Sequence, residues 1–306
     1  MNEMNIDSVD LNLLKVLQAL HEEGTAGRAA IRLGVTQSAV SAALGRLRAL
    51  YGDPLFERTG RGLRPTPKAE ELRPLIADAL QKLRQSLALA QPGGASLAGR
   101  TVVLGLSDDH EVALGRRLID ALQQAAPGLR LVLRQTHSGL AADMLMDRRI
   151  DLSLGAGTGS SRTLTRQVLG TGRYACVMDL AQAPPGHLGL DEYLRRPHLL
   201  ISSGGFVGVV DEALAALGHS RRIEASTTHF AALPHLLRGS TALATLPEHA
   251  ARALAALGTL VCVPCPIELP RYAIELAWRS GSLRDPAVDC LKLQVEAAVA
   301  SFASSV

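Results

Sequence analysis

Ala29-Ala30-Ile31-Arg32-Leu33-Gly34-Val35-Thr36-Gln37-Ser38-Ala39-Val40-Ser41-Ala42-Ala43-Leu44-Gly45-Arg46-Leu47-Arg48 is the stretch that decides the fold. A short amphipathic segment runs to Leu33, Gly34 supplies the residue that stops a helix with φ > 0, and Thr36 is a good cap for a second helix. This is a helix-turn-helix pattern. Val40, Leu44 and Leu47 recur at helical spacing and are expected to pack on Ile31 and Leu33. Thr36, Gln37, Ser38 and Ser41 then face away at the helix N-terminus, where short polar groups suit base edges and phosphates.

Downstream, Asp53-Pro54-Leu55-Phe56-Glu57-Arg58-Thr59-Gly60-Arg61-Gly62-Leu63-Arg64 reads as a hairpin with an apolar anchor and a basic tip carrying Arg58 and Arg61, a wing that would straddle a sugar-phosphate backbone. Upstream, Asp10 is expected to cap a helix to about His21 whose stripe is Leu11, Leu14, Val16, Leu17 and Leu20. Thr66-Pro67 starts another helix, running to about Ala90. Its stripe of Leu72, Ile76, Ala79, Leu80, Leu83 and Leu87 is too long for the small head to cover, so a partner helix is expected, and Pro74 predicts a kink. Gln91-Pro92-Gly93-Gly94-Ala95-Ser96 marks the clearest domain boundary.

Asp10-Leu11-Asn12-Leu13-Leu14, Ala29-Ala30, Thr36-Gln37-Ser38-Ala39-Val40-Ser41, Gly52-Asp53-Pro54-Leu55-Phe56-Glu57-Arg58 and Leu63-Arg64-Pro65-Thr66-Pro67 together resemble the N-terminal domain of LysR-type transcriptional regulators. The opening run and the Gly-Asp-Pro-Leu-Phe run look closest to the branch of nodulation and aromatic-degradation regulators. The resemblance implies an α+β multidomain chain: a winged helix-turn-helix over 1–66, a linker and dimerisation helix over 67–94, and an effector domain over 95–306. That last domain would be a two-lobed α/β unit of the type II periplasmic-binding-protein kind. Lobe I takes about 95–170 and 270–306, and lobe II about 171–269, with crossings near Gly170 to Arg173 and Ile267 to Tyr272. One departure bears on DNA reading: family members often carry a long polar or basic residue after the recognition-helix serine, where this chain has Ala42 and Ala43.

The 306 residues exceed one core's usual size, and 47% hydrophobic content is ample for several. Net charge is only +3, yet residues 28–68 hold eight basic side chains against Asp53 and Glu57. Charge alone fits a solvated basic face or a nucleic-acid footprint equally well, and the helix-turn-helix frame favours the second. Four scattered cysteines make no disulfide scaffold, no signal pattern opens the chain and no run suits a membrane span, so a cytoplasmic protein is expected. Cys262-Val263-Pro264-Cys265 is read as structural rather than redox-active, and no catalytic constellation, metal site or cofactor is indicated.

From Arg100 onward short apolar runs alternate with helical patterns, which predicts parallel sheets whose ligands sit at strand carboxyl ends. Candidate strands are 101–106, 129–134, 150–154, 174–178, 198–202, 222–225, 241–245, 260–263 and 274–278, with a last helix capped by Asp285-Pro286. Ser107 and Asp108 follow the first of these, where Asp108 and Glu111 also read as a capping box. Gly155 opens a glycine-rich loop. Ser203, Gly205, Phe206, Thr227 and His229 follow strands of the second lobe and complete the effector candidates, although His229 alone reads more readily as a capping or core residue. A neutral to mildly polar cleft with Phe206 as its aromatic wall is expected. The partners so implied are double-stranded DNA, a small-molecule effector, a second copy or a tetramer of this chain, and RNA polymerase as a further candidate, with no membrane. The competing functions are an enzyme or transport binding protein on the same two-lobed fold, and a regulator that acts by protein contact alone.

Overall fold

The computed structural model describes residues 9–60, 62–88, 97–157, 163–202 and 205–303. It divides into two compact units, Met1–Ser96 with Met146–Arg148, and Leu97–Leu145 with Arg149–Val306. The first unit contains α1 (Asn12–Glu23), α2 (Ala26–Leu33), α3 (Gln37–Tyr51), a hairpin of β1 (Phe56–Thr59) and β2 (Gly62–Pro65), and α4 (Pro67–Ala88). Gly24, Gly34 and Gly52 end the first three helices in the left-handed region. Thr25 and Thr36 accept the backbone N–H of Arg28 and Ala39, so the turn between α2 and α3 is set by local hydrogen bonds.

Leu13, Leu17, Leu20, Ala29, Ala30, Val40, Leu44, Leu47, Leu55 and Phe56 form the head's core, joined by Ile76 and Leu80 of α4. Ile31 was expected in this core and is instead 83% exposed. On an eight-residue helix the small side chains of Ala29 and Ala30 face inward and admit α1 and α3 closely, which turns Ile31 outward. Leu11 is likewise exposed, preceding the first helical residue, and Leu13 is buried. The head covers the inner half of the α4 stripe, while Leu75, Leu83 and Leu87 are exposed. The helix continues through Pro74. The boundary segment 91–96 lies outside the described residues.

The second unit begins with β3 (Thr101–Leu106), α5 (Asp108–Ala125), β4 (Arg130–Gln135), α6 (Ser138–Met146), β5 (Leu152–Gly155) and β6 (Leu164–Gly172). It continues with β7 (Tyr174–Asp179), α7 (Leu190–Arg195), β8 (Pro197–Ile201), α8 (Val209–Ala216), β9 (Arg222–Thr227), α9 (Leu233–Leu237), β10 (Leu243–Pro247), α10 (Glu248–Ala255) and β11 (Leu260–Pro264). β12 (Tyr272–Arg279) and α11 (Pro286–Ala303) complete it. One sheet runs β4-β3-β5-β12-β6 and the other β11-β7-β10-β8-β9. We call the parts built on them lobe I and lobe II.

The expected all-parallel pairing is corrected: β12 is antiparallel to β5 and β6, and β7 is antiparallel to β10 and β11. Only pairs joined through a helix within one lobe, such as β3 with β4 and β8 with β9, are parallel. β12 enters its sheet from the other lobe, so no right-handed helical crossover dictates its direction. Leu104, Leu106, Leu114, Leu118 and Leu122 pack with Leu276, Leu291 and Val295 in lobe I. In lobe II the sheet separates two clusters, with Cys262 against one and Cys265 against the other. The Cys-x-x-Cys pair is thus divided between sheet faces. Cys265 instead meets the buried Cys176, and that contact together with burial pushes the Cys176 thiol up.

His198 of β8 is fully buried, donates through Nε2 to the carbonyl of Tyr193 at 2.8 Å and lies edge-on to the Tyr193 ring. Burial pushes its pKa down to about 4 from 6.5. The unfolded chain therefore binds more protons between these values, so the stability this neutral ring contributes is complete above about pH 6.5 and lost as pH falls toward about 4. The loss is about 3 kcal/mol. Denaturant unfolding of the parent and His198→Gln, which keeps a donor without titrating, should show a steeper decline for the parent between about pH 7 and about pH 4.5. Parallel declines would remove His198 as the cause.

Candidate DNA interface and effector cleft

Val40, Ala43, Leu44 and Leu47 turn into the head, and this leaves Thr36, Gln37, Ser38 and Ser41 exposed along the other face of α3. The Thr36 and Ser38 hydroxyls lie 2.9 Å apart. Ala42 is exposed and Ala43 buried, so the position after Ser41 offers only a methyl group to a base edge. The basic count of this region overstates the charge available to DNA. Arg48 donates to the carbonyls of Pro54 and Phe56 at 2.8 and 3.0 Å, Arg32 pairs with Glu22 and Glu23, Arg46 with Asp10 at 3.3 Å, and Arg64 with Glu57 at 2.7 Å. Arg58 is exposed with no ion-pair partner among the described residues. Arg61 lies outside them.

The wing is held from both ends. Asp53 Oδ1 accepts Leu55 N–H at 2.6 Å and the Thr66 hydroxyl at 2.8 Å, which supports Leu55 at φ 58. At the other end Leu63 N–H donates to the Gly24 carbonyl at 2.8 Å. A Cβ at Gly62 would lie 2.7 Å from that carbonyl oxygen, so only glycine lets the hairpin close on the α1–α2 turn.

In the two-lobed unit Ser107 is the N-cap of α5 and its hydroxyl lies 3.0 Å from His110 Nδ1. The expected Asp108–Glu111 capping box is corrected, because Asp108 is already the first helical residue. Its carboxylate reaches out of the helix to accept the N–H of Phe230 in lobe II at 2.6 Å. Thr227 Oγ1 accepts His229 N–H at 3.3 Å and keeps its own proton to donate, and His229 is exposed at the N-cap position of the short 3-10 turn Phe230–Ala232, where its side chain makes no capping bond. Gly155 ends β5 opposite Glu275, with open space where a Cβ would stand. Ser203 and the loop residues 158–162 lie outside the described residues.

Gly205 adopts φ 116 and Phe206 is 62% exposed. Phe206, expected as the aromatic wall of the cleft, lines a recess of about 500 Å³ with Val207, Asp211, His219 and Arg221. Asp211 accepts Gly208 N–H at 2.8 Å while pairing with the buried Arg221, which fastens the end of the Phe206 loop to the start of α8.

Sequence reasoning missed the buried junction between the lobes. Asp109 Oδ2 lies 2.9 Å from His249 Nε2 of α10, and Asp109 Oδ1 lies 3.3 Å from His110 Nδ1. The two imidazoles are 4.4 Å apart between centroids. Burial pushes the Asp109 carboxyl up, but the histidine hydrogen bonds outweigh it and hold the group well below the usual range. Burial holds His249 below its ordinary value against the opposing pull of Asp109. Each of the three residues offers one ligand atom, all within 4.8 Å of one another, so the cluster has the donors to hold a metal ion. Thr136, buried with its hydroxyl unpartnered, follows β4. Extending the strand-end rule to β4 and β10 reaches Thr136 and, one residue beyond Glu248, His249.

Residues 11–70 match the bacterial regulatory helix-turn-helix protein, lysR family, and residues 95–300 match the LysR substrate binding domain. The chain is 31% identical over 287 residues to the HTH-type transcriptional activator NahR of Pseudomonas putida, covering 92% of this chain and 95% of that protein. It is 30% identical to Nodulation protein D 1 of Bradyrhizobium japonicum, with 93% and 89% covered. Among solved structures, the probable transcriptional regulator PA0477 from Pseudomonas aeruginosa is similar at a TM-score of 0.72 and 32% identity, over 94% of this chain and 97% of that one. The winged head, the two-lobed domain and these full-length likenesses agree: the chain belongs to the LysR family, and it is a sequence-specific DNA-binding transcriptional regulator that responds to a small-molecule effector.

Proposed function

We propose that the regulator reads its operator through Gln37, Ser38 and Ser41 of α3, with Thr36 and Arg46 beside them, and grips the backbone through Arg58 and Arg61 of the wing. The observation that carries this assignment is the clean division of α3 into a buried apolar face and an exposed polar one. With Ala42 and Ala43 following Ser41, base contacts are few and DNA shape takes more of the discrimination. Gln37→Ala should therefore relax discrimination by roughly 1 to 3 kcal/mol at one base pair of each half-site, since a long amide pairs with adenine. Equal losses on operator and random duplexes in a titration would overturn direct readout by Gln37.

The exposed outer half of α4 supports a homodimer or homotetramer built on Leu83 and Leu87. Domain limits of 1–66, 67–94 and 95–306 fit this division of labour. Leu83→Asp places an unpaired carboxylate in that apolar seam and should split the assembly. Sedimentation of this variant at the parent's mass would remove Leu83 from the seam. The named activators among the relatives support RNA polymerase as a further partner.

For the effector we propose a small polar molecule bound by Ser107, Asp108, Thr227 and His229, with Gly155, Ser203 and Gly205 allowing close approach. Asp108, Asp109 and Glu111 crowd the first turn of α5 and offset the attraction of its N-terminus for an anion. Thr227→Val keeps the shape and removes the free hydroxyl proton, so effector affinity should fall by roughly 1 to 2 kcal/mol with DNA affinity unchanged in the absence of effector. A calorimetric screen in which the effector binds both proteins equally would exclude Thr227, and a dicarboxylate as effector would refute the charge argument.

A further inference from the structure

Two helices of different lobes bring a carboxylate and two imidazoles to one buried point. Asp109 and His110 open α5 in lobe I, His249 opens α10 in lobe II, and all three are at most 9% exposed. We propose that Asp109, His110 and His249 form a binding site for a divalent transition cation of the zinc class, which ties the two lobes together.

The spacing suits coordination. Donors bound at about 2.0 to 2.1 Å in a tetrahedral shell stand roughly 3.3 Å apart. Asp109 Oδ2 lies 2.9 Å from His249 Nε2 and Oδ1 lies 3.3 Å from His110 Nδ1, and one ligand atom from each residue falls within 4.8 Å of the others, so an ion requires the side chains to draw in around it. His110 also keeps a spare donor, since its Nε2 is buried without a partner. Mixed imidazole and carboxylate donors select zinc, cobalt or nickel over magnesium and calcium, which prefer oxygen alone. Three protein ligands leave one position for solvent or a small ligand.

Charge supports the same assignment. Asp211 is balanced by Arg221 at 2.8 Å, Asp285 by Arg100 at 2.6 Å, and Asp179 accepts the backbone N–H groups of Ala181 and Gly239. Asp109 differs from these. Among the described residues its ion-pair partners are the two imidazoles alone, so a dication would supply the positive charge that arginine supplies elsewhere. The thiols are poorer competitors, because Cys262 and Cys265 pack on opposite faces of their sheet and Cys265 meets only Cys176 among the described thiols, two thiol donors against three donors here. Because its donors come from both lobes, a bound ion would stabilise their present contact by mass action.

The test uses the tag-free full-length protein, stripped with a chelator and titrated with Co²⁺ at neutral pH. We expect one Co²⁺ per chain with the visible bands of a four-coordinate nitrogen and oxygen site, displacement by Zn²⁺, and a rise in the thermal midpoint on adding Zn²⁺. His249→Gln and Asp109→Asn should each weaken Co²⁺ binding by about tenfold or more, and Cys265→Ser should bind as the parent does. If Asp109→Asn fails to fold, His249→Gln with parent-like circular dichroism decides the matter. The proposal is overturned if the parent shows no saturable one-to-one binding or if folded His249→Gln binds Co²⁺ as tightly as the parent. A thiolate-to-metal band that disappears in Cys265→Ser would also overturn it, by moving the site to the cysteines.

Discussion

A carboxylate that is buried and ionised has to be solvated by the protein around it, and Asp109 is solvated from both lobes at once. His110 reaches it from its own helix and His249 from α10, 140 residues further along the chain. Neighbouring Asp108 adds a second bond of the same kind, to the backbone of Phe230. The first turn of α5 is therefore the joint of the regulatory domain. The chain passes between lobes at Arg173, which pairs with Glu248 beside His249, and over residues 265–271, where Tyr174 and Tyr272 lie ring to ring at 5.3 Å. Gly172 makes room for that ring, because a Cβ would lie 2.2 to 2.5 Å from the Tyr272 ring and hydroxyl and would displace them.

The DNA-binding head contrasts with this joint in how it is specified. Its turns are set by neighbours: Thr25 and Thr36 cap the helices that follow them, Gly24, Gly34 and Gly52 end those that precede, and Asp53 fastens Leu55 and Thr66. Every one of these bonds spans thirteen residues or fewer, so the head could be read from the chain in order. What local patterning could not resolve was which apolar residue faces inward on a two-turn helix. Ile31 is the stronger hydrophobe, yet Ala29 and Ala30 occupy the crowded face because only small side chains fit between α1 and α3.

The two-lobed domain was legible as alternating strands and helices, and its strand positions follow the apolar runs within a few residues. β6 escaped notice because it is an edge strand, with polar residues such as Thr165, Arg166 and Gln167 among its exposed and half-buried positions. The direction of β12 escaped because it depends on the chain returning from the other lobe. The candidate site divides in the same way. Ser107, Asp108 and Thr227 follow from the rule that ligands meet strand ends, whereas the pairing of Asp109 with His249 is a tertiary fact that no local pattern encodes. Around Phe206 the fastening is local, since Asp211 of α8 pairs with Arg221 just before β9, the next element in the chain.

The joint also bounds how strongly an effector can act. A ligand shifts a conformational equilibrium only through unequal affinity for the two states, and typical couplings between sites are about 1 to 3 kcal/mol. Hydrogen bonds to charged groups contribute about 1.5 to 3 kcal/mol each, so the single Asp108–Phe230 bond across the lobes has a worth of that order. The Asp109 cluster sets the opposite limit. Separating the lobes there would take His249 from the buried Asp109 while His110 stays beside it on α5, and removing one partner of a buried charge costs about 3 to 5 kcal/mol. The stronger hold between the lobes is therefore at Asp109 and the weaker at Asp108, one residue apart in the first turn of α5.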